Sequence, residues 1–213
     1  MTGIATAFLD SVPLVAITGN VSTDLIGRDS FQEVDIVGVT MPITKHNYIV
    51  KSVEDLQEII REAFFIATSG RPGPVLIDIP KNVQQGVTEY DREKTFAFKS
   101  KAKKLYDITK AVELLSSSKK PFIYSGGGVV ISDAHKELLE FADLIDAPIG
   151  TSLMGLSAVP YDHPKNLGMA GMHGRYAASK ALAECDLLIA IGTRFSDRAT
   201  GNKKMFIKNC RVL

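Results

Sequence analysis

The chain has 213 residues, of which 45% are hydrophobic and 23% are charged, and its formal net charge is +1. This balance is typical of an ordinary globular protein with a real core. It gives no concentrated basic face for nucleic acid or for an anionic membrane, so we expect neither partner. Cys185 and Cys210 lack metal-ligand spacing and do not form a disulfide framework, which fits a reducing, cytoplasmic setting.

The N-terminal part of the chain has the pattern of a first α/β unit. The apolar run at 13–18 predicts a buried strand, and 74–80 predicts a second strand between two prolines. Between them, Ser52 is a plausible N-cap for an amphipathic helix that Gly70 stops. The short apolar segment at 35–40 is compatible with either a strand or a helix.

A polar, charged and aperiodic stretch at 85–104 predicts an interdomain linker. Its basic cluster at 99–104 is interpreted as a solvated part of that linker, with a phosphate-binding patch as the alternative. We therefore expect a first domain at 1–84 and a second domain at 105–213.

The second domain alternates strand patterns with helix patterns. Helices are expected at 108–115, at 133–145 with Asp133 as a cap, and at 176–185; strands are expected at 121–125, 148–151, 186–191 and 211–213. Such alternation predicts parallel βαβ units with right-handed crossovers. The expected fold class is α/β, with parallel sheets flanked by helices. The last strand pattern has only begun at Leu213, so we expect a C-terminally truncated domain.

Three loops of the second domain follow predicted strands, at 126–128, 152–155 and 192–198. Glycines at 126–128 allow a close backbone approach, and their N–H groups can face a phosphate. A tight strand-to-helix turn is the alternative interpretation. Because ligands bind at the carboxyl ends of parallel strands, the convergence of the three loops predicts a nucleotide-type cofactor site.

Several side chains in these loops also have simpler explanations. Arg194 and Arg198 flank Asp197, and they are either phosphate-binding cations or members of a surface ion pair. His173 lies before a helix and is either a ligand contact or a buried structural histidine. Met154 is either a ligand contact or core filler.

Three residues of the first domain have roles that residue type alone does not decide. Arg71 lies on a rigid turn and is either a ligand anchor or a surface residue. Lys45 faces either an active site or solvent. Phe31 is either a substrate contact or a satellite core residue.

Motifs along the whole chain resemble those of the acetolactate (acetohydroxyacid) synthase large subunit, a thiamine-diphosphate enzyme. They are GRDSFQE at 27–33, ITKHN at 43–47, TSGRPGPVLIDIPK at 68–81, LMGL at 153–156, GMAGMHG at 168–174 and RFSDR at 194–198. The resemblance implies the later part of a pyrimidine-binding domain at 1–84. It implies most of a Rossmann-like central domain at 105–213, of the biosynthetic, FAD-containing type.

The same resemblance assigns site residues. It places Phe31 and Lys45 along the substrate channel. It assigns FAD contacts to these positions: Arg71, Gly126, Gly127, Gly128, Ser152, Leu153, Met154, Gly171, Met172, His173, Gly174, Gly192, Thr193, Arg194, Phe195, Asp197 and Arg198. Ser152 and Ser196 replace the family's usual threonine and aspartate, but the glycines and arginines of the pattern remain.

The resemblance implies that the intact enzyme decarboxylates pyruvate on thiamine diphosphate and joins the product to a second 2-keto acid, pyruvate or 2-ketobutyrate. This reaction belongs to branched-chain amino-acid biosynthesis. Mg²⁺ is an implied cofactor, and a homo-oligomer and a small regulatory subunit are implied partners. The family's catalytic glutamate and metal–diphosphate segment match no part of the 213 residues. No catalytic or metal-ligating residue is therefore assigned, and we expect the chain alone to be inactive.

Two other functions remain open from the sequence. One is a different thiamine-diphosphate carboligase or decarboxylase, although the segments 171–174 and 194–198 argue against the FAD-free catabolic synthases. The other is a stand-alone nucleotide-binding module. A module of that kind would bind a nucleotide as a complete, monomeric chain.

Overall fold

The computed structural model describes residues 1–98, 108–201, 206 and 210–213. The chain divides into two compact units, Met1–Lys104 (unit 1) and Leu105–Leu213 (unit 2). The basic cluster at 99–104 lies outside the described residues. Within the described ranges, no helix combines the length and the apolar character needed to cross a membrane.

Unit 1 contains a parallel sheet with the strand order β1-β3-β2. Its strands are β1 (Leu14–Asn20), β2 (His46–Ile49) and β3 (Pro74–Pro80), and its helices are α1 (Thr2–Asp10), α2 (Ile36–Thr40), α3 (Leu56–Thr68) and α4 (Lys81–Gln85). The strands expected at 13–18 and 74–80 are confirmed as β1 and β3. The ambiguous segment at 35–40 is helical, because the Asp35 carboxylate caps it by accepting the Gly38 N–H at 2.8 Å.

The core of unit 1 lies between β3 and α3. Val75 and Ile77 of β3 pack against Ala63 and Ala67 of α3, and all four side chains are buried. The expected cap at Ser52 is wrong for this helix, because the Ser52 hydroxyl bonds the Glu54 carboxylate and no backbone N–H. A short 3-10 helix, Val53–Asp55, intervenes before α3 begins. α3 ends just before Gly70, whose φ of +59° is the left-handed conformation that glycine tolerates best.

The described part of the predicted linker packs against unit 1. The Phe98 ring stacks on the Phe65 ring of α3, with centroids 5.3 Å apart. The Phe96 ring lies 6.2 Å from that of Phe98, and the Arg61 guanidinium lies 5.5 Å from the Phe96 centroid. These aromatic contacts hold the end of the segment against α3, although its composition is polar.

Unit 2 contains a five-stranded parallel sheet with the order β6-β5-β4-β7-β8. Its strands are β4 (Pro121–Ser125), β5 (Ile149–Thr151), β6 (Asn166–Met169), β7 (Leu187–Ile191) and β8 (Arg211–Val212). Its helices are α5 (Thr109–Ser117), α6 (Gly127–Ile131), α7 (His135–Leu144), α8 (Tyr176–Glu184) and α9 (Asp197–Thr200). A 3-10 helix, Leu153–Ala158, follows β5.

The strand order of unit 2 is that of a doubly wound sheet. β4 is central, and the chain proceeds outward on one side through β5 and β6 before returning to β7 and β8 on the other side. The direction therefore reverses between β4 and β7, which are paired from Pro121↔Leu187 to Ser125↔Ile191. Such a switch point leaves a crevice at the carboxyl ends of the two strands. The expected Rossmann-like α/β fold is confirmed.

Alternate residues of β4 fill a core on each face of this sheet. Ile123 packs with Leu138 and Ala142 of α7 on one face. Phe122 and Tyr124 pack with Ala178 of α8 on the other face, and both aromatic side chains are almost completely buried. Because both faces are covered, the strand is apolar almost throughout, as is usual in parallel sheets.

Asp186 fixes the start of β7 against the start of β4. Its carboxylate accepts hydrogen bonds from the Ser118 hydroxyl and from the backbone N–H groups of Lys119 and Lys120, the latter two at 2.8 and 3.1 Å. These bonds stabilise the ionised form, so the pKa of Asp186 falls to about 2. The carboxylate thereby supports the register of the two strands that form the switch point.

Some local features differ from expectation. The structure adds α1, β2 and β6, none of which the sequence patterns predicted. The proposed cap at Asp133 is wrong, because α7 begins at His135 without a side-chain cap and Asp133 itself has a φ of +52°. Asp133 therefore belongs to the turn before the helix.

Candidate functional site

Three predicted loops meet at the carboxyl edge of the unit 2 sheet. The loop after β4 bonds the end of β7 through Gly126 N–H to Ile191 O at 2.9 Å. It bonds the loop after β7 through Gly128 N–H to Gly192 O at 2.8 Å. The loop after β5 bonds β4 through Ser152 N–H to Ser125 O at 2.8 Å. The expected convergence of the loops is therefore observed.

The glycines of these loops are required by contacts between the loops themselves. A Cβ atom on Gly126 would lie 2.5 Å from the Thr193 Cα, and one on Gly128 would lie 2.6 Å from the Gly192 Cα. Gly192 also has a φ of +59°. The N–H groups of Gly126 and Gly128 already bond carbonyl oxygens, so these two of the three glycines at 126–128 do not face a phosphate. Close approach to another loop, not to a ligand, explains these two glycines.

The glycine-rich segment at 171–174 joins the same edge through α9. Met172 N–H donates to Arg198 O at 3.1 Å, and Gly171 has a φ of +110°. The Arg198 guanidinium also lies 3.8 Å from the Met172 sulfur. Each of the four predicted segments of unit 2 thus contacts at least one other.

Arg194 and Arg198 present cations at this edge. Both side chains are exposed. Among the ion pairs of the described residues, none joins either arginine to Asp197. The surface ion-pair interpretation is therefore not what the structure shows. The two guanidinium groups are available to an anion.

Other side chains in these loops are solvent-facing and not part of the core. His173 is exposed, so the alternative of a buried structural histidine is wrong. Met154 is 48% exposed, so it is not core filler. Leu153 also exposes apolar surface, as do Met172, which contacts Arg198, and Phe195, which follows Arg194 in sequence. Apolar surface next to cations suits a ligand that has both an aromatic and an anionic part.

Among the described residues of unit 2, four buried hydroxyl groups near the same edge lack hydrogen-bond partners. They are those of Tyr124, Ser125, Thr151 and Thr193. Nearly all buried hydroxyls in proteins have a partner, so this concentration at one place requires an explanation. The sequence analysis missed three of the four. For Ser125 and Thr151 the available signal was a hydroxyl residue at the last position of a strand, directly before a predicted loop.

Burial raises the pKa of Tyr124, and the nearby Thr193 hydroxyl offsets part of this shift. The two hydroxyls nevertheless do not form a hydrogen bond of normal geometry. Tyr124 therefore remains a neutral donor at physiological pH, in a place where its phenol has no acceptor in the described structure.

A cavity of about 510 Å³, lined by both apolar and polar side chains, opens beside β5 and β6. Thr151, His173 and Arg175 are among its lining residues. The Arg175 guanidinium donates to the Tyr161 hydroxyl at 3.1 Å, and this positive neighbour lowers the pKa of Tyr161. Thr151, whose hydroxyl has no partner in the described structure, and His173, a predicted FAD contact, therefore line the same cavity. Arg175 and Tyr161 also line it, and the sequence analysis did not single them out.

The unit 1 candidates bond to helix ends. Lys45 Nζ donates to the carbonyl oxygens of Ile66 and of Ser69, the second at 2.6 Å, at the C-terminus of α3. Partial burial lowers the pKa of Lys45. Lys45 is thus held by unsatisfied helix carbonyls, which cations satisfy well. Phe31 is 87% exposed, so the satellite-core alternative is wrong.

Arg71 has a similar role at the end of α1. Its Nε donates to the Ser11 hydroxyl at 2.7 Å, and its Nη2 lies 3.4 Å from the carbonyl oxygens of Phe8 and Leu9. Arg71 and Lys45 both line a cavity of about 780 Å³ in unit 1. The remaining predicted FAD contacts lie in unit 2.

The Lys45→Met variant should be less stable than the parent chain by about 1 kcal/mol, because the Ser69 carbonyl loses the ammonium donor and the Ile66 carbonyl keeps only the Ser69 hydroxyl. Urea unfolding measures this difference. The matched control is Lys51→Met, since Lys51 is exposed and has no interaction in the described structure. Equal stability of the two variants would show that the Lys45 contacts do not support the helix.

Comparison with known proteins agrees with this geometry. Residues 108–213 match the family model of the thiamine pyrophosphate enzyme central domain. The whole chain is 49% identical to a probable acetolactate synthase large subunit of Methanocaldococcus jannaschii, and it covers 37% of that protein. Over its full length the chain is thus similar to an acetolactate synthase large subunit, and its unit 2 is similar to the central domain of thiamine pyrophosphate enzymes. It is also 46% identical, over its full length, to the acetolactate synthase large subunit of Corynebacterium glutamicum.

The chain spans 37% and 35% of the lengths of these two relatives. The family model covers unit 2, where the four loop segments and the unpartnered hydroxyls lie. Among the described residues, no three histidine, cysteine, aspartate or glutamate side chains are grouped so that they could hold a metal ion.

Proposed function

We propose that the chain is part of the catalytic subunit of an acetolactate synthase, which decarboxylates pyruvate and condenses the product with a second 2-keto acid. The support is the similarity to such subunits over the full length of the chain. Neither the different thiamine-diphosphate enzyme nor the stand-alone nucleotide module is favoured by these relatives. Thiamine diphosphate, when bound in the whole enzyme with Mg²⁺, supplies the electron sink for decarboxylation.

We further propose that the unit 2 edge binds FAD. The observation that carries this proposal is the group of four buried, unpartnered hydroxyls beside the four contacting segments. FAD offers hydroxyl, carbonyl and phosphate oxygens, which such hydroxyls can bond. Arg194 and Arg198 are exposed beside them and carry the positive charge that a diphosphate requires. The residues present therefore fit the cofactor.

Different residues of the chain bind different parts of FAD. Arg194 and Arg198 hold the diphosphate through charge-assisted hydrogen bonds. The exposed apolar side chains of Met154 and Met172 cover an aromatic ring from water. His173 and Thr151 lie at one cavity and orient the polar edge of that ring. Binding and orientation are thus the contributions assigned to this unit.

The Arg194→Ala and Arg198→Ala variants should each bind FAD at least about tenfold more weakly than the parent chain, because each loses a charge-assisted contact. FAD is titrated into the purified 213-residue chain, and the change in flavin fluorescence gives the dissociation constant. The readout does not depend on synthase activity, which we do not expect from this chain alone.

The control for this titration is Lys180→Ala, which removes one exposed positive charge from α8 without touching the four segments. Its affinity for FAD should equal that of the parent. Equal affinity of the arginine variants and the control would place FAD elsewhere. If the parent itself retained no flavin, unit 2 would not be a sufficient FAD site.

For the whole enzyme we also propose a homo-oligomer, a small regulatory subunit as an additional partner, and a cytoplasmic location. The relatives' designation as large subunits supports the small-subunit partner, whereas the homo-oligomer and the cytoplasmic location rest on the motif resemblance and the cysteine content of the sequence. Sedimentation of the full-length enzyme with and without a candidate small subunit tests the first two points. A full-length enzyme that sediments as a monomer and does not bind the small subunit would contradict both the homo-oligomer and the regulatory partner.

A further inference from the structure

The two cysteines of the chain lie next to each other in unit 2. The sulfur atoms of Cys185 and Cys210 are 3.2 Å apart, and both residues are free thiols. Cys185 directly follows α8 and precedes β7, and Cys210 directly precedes β8. The two positions are separated by 25 residues in sequence, so the fold brings them together.

Backbone pairing fixes this proximity. β7 and β8 are parallel neighbours, with Leu187 opposite Arg211. Arg211 N–H donates to Asp186 O at 3.1 Å, and Leu213 N–H donates to Leu188 O at 2.9 Å. The residues that precede two paired strands are therefore held side by side. The sheet register thus places Cys210 next to Asp186, the neighbour of Cys185 in sequence, and the two sulfurs meet at 3.2 Å.

The two thiols differ in accessibility. Cys185 is 7% exposed and packs in the core that α8 forms with the sheet. Cys210 is only partly covered. Burial, together with the Cys210 thiol and its charge, raises the pKa of Cys185 to about 12. Cys185 therefore stays protonated and is protected from solvent reagents, whereas Cys210 is the thiol that a small oxidant can reach.

We propose that Cys185 and Cys210 form an oxidisable dithiol site, which takes a hydroperoxide as oxidant and closes to a reversible disulfide between β7 and β8. A disulfide requires the two sulfurs to approach from 3.2 Å to about 2.0 Å, a small movement for side chains already in contact. The site is separate from the candidate FAD residues, and the inference does not depend on the proposed function.

The chemistry uses one peroxide for each disulfide. The Cys210 thiolate attacks one peroxide oxygen, the O–O bond breaks, and Cys210 becomes a sulfenic acid while the other oxygen leaves as water or an alcohol. The Cys185 sulfur then attacks the Cys210 sulfur and displaces its hydroxyl. That hydroxyl takes the Cys185 proton and leaves as water, so two thiols lose two electrons and two protons in total. A small dithiol reverses the reaction.

The disulfide would tie together the two ends of the segment between 185 and 210, which carries Arg194 and Arg198. Cross-links of this kind restrict the unfolded chain, so the oxidised form should have a higher melting temperature than the reduced form. The increase should vanish when a dithiol is added.

Peptide mapping after hydrogen peroxide treatment tests the proposal on the full 213-residue chain. Trypsin digestion under non-reducing conditions should give the peptides 181–194 and 209–211 as one linked species, two hydrogen masses lighter than the sum of the two. The dithiol should release both peptides. A linked species formed between two copies of the chain, or Cys210 oxidised to a sulfinic acid with Cys185 still a thiol, would overturn the proposal.

Two variants supply the controls. The Cys185→Ala chain should accumulate a sulfenic acid at Cys210, which a sulfenic-acid reagent labels at least about tenfold more than in the parent, where Cys185 resolves it. The Cys210→Ala chain should remain unoxidised at the buried Cys185 under the same treatment. Circular dichroism checks that both variants are folded. Equal labelling of Cys210 in the parent and in Cys185→Ala would show that Cys185 does not react with it.

Discussion

The Gly126→Ala variant should lose about 3 kcal/mol or more of the unfolding free energy of unit 2, because an added methyl group meets backbone atoms that cannot rotate away. A Cβ at this position would lie 2.5 Å from Thr193 Cα and closer still to the Gly192 carbonyl oxygen. The φ of Gly126 is −116°, a conformation that any residue adopts. The loss is therefore purely steric, and it measures how tightly the loops after β4 and β7 are packed.

Native-state hydrogen exchange is the appropriate measurement, since it reports each part of the chain separately. The amides of β4, β5 and β7 should exchange faster in the variant, and those of β1 and β3 serve as an internal reference. Gly3→Ala is the matched control: nothing lies within 4 Å of its added Cβ, and it is inside α1. That change should stabilise the helix by about 0.5–1 kcal/mol. Unchanged exchange in Gly126→Ala would show that the two loops separate readily.

Long apolar runs made most of the fold predictable. β3, β4 and β7 are buried on both faces and therefore read as continuous apolar segments with clear ends. β2 and β6 were missed because each is a four-residue sheet-edge strand containing an asparagine, and β6 contains a glycine as well. Polar side chains interrupt the apolar pattern that identifies a strand, as Asn47 and Asn166 do at these two edges.

The glycines of the candidate site show a different limit of sequence reasoning. Glycine indicates that something approaches the backbone closely, but it does not say what approaches. Gly126 and Gly128 suggested a phosphate, and the structure puts Gly192 and Thr193 in that place. Conversely, the sequence patterns did not single out the Ser125 and Thr151 hydroxyls. Whether a buried hydroxyl has a partner depends on tertiary contacts, which residue type alone does not reveal.

Lys45 and Arg71 show the same limit of sequence reasoning for charged residues, because residue type does not reveal what each cation contacts. Their motifs identified them as positions that matter, and the structure shows both bonding carbonyl groups at helix ends. A cation can be required for folding, for binding or for both, and only its contacts distinguish these roles. Neither arginine of the unit 2 loop has a comparable partner in the described structure, which is why Arg194 and Arg198 remain the better candidates for an anion.

The Thr151→Val variant should move stability and flavin affinity in opposite directions. Valine replaces the hydroxyl by a methyl group of similar shape, so the flavin-free chain no longer buries an unpartnered polar atom and should gain about 1 kcal/mol. If the hydroxyl bonds FAD, its loss should weaken FAD binding by about tenfold, a typical value for a hydrogen bond at a buried site. Urea unfolding without flavin and a fluorescence titration with FAD measure the two effects. Ser125→Ala should behave in the same way, although it also removes a little packing.

Thr200→Val provides the matched control for stability. Thr200 is also buried in unit 2, but its hydroxyl donates to the Ser196 carbonyl oxygen at 3.0 Å. Removing this partnered hydroxyl should destabilise the chain by about 1 kcal/mol. If Thr151→Val lowered stability as Thr200→Val does, its hydroxyl would be satisfied in the flavin-free chain. The concentration of hydroxyls would then no longer argue for a cofactor. Opposite signs for the two threonines would instead identify the carboxyl edge of the unit 2 sheet as a site prepared for a polar ligand.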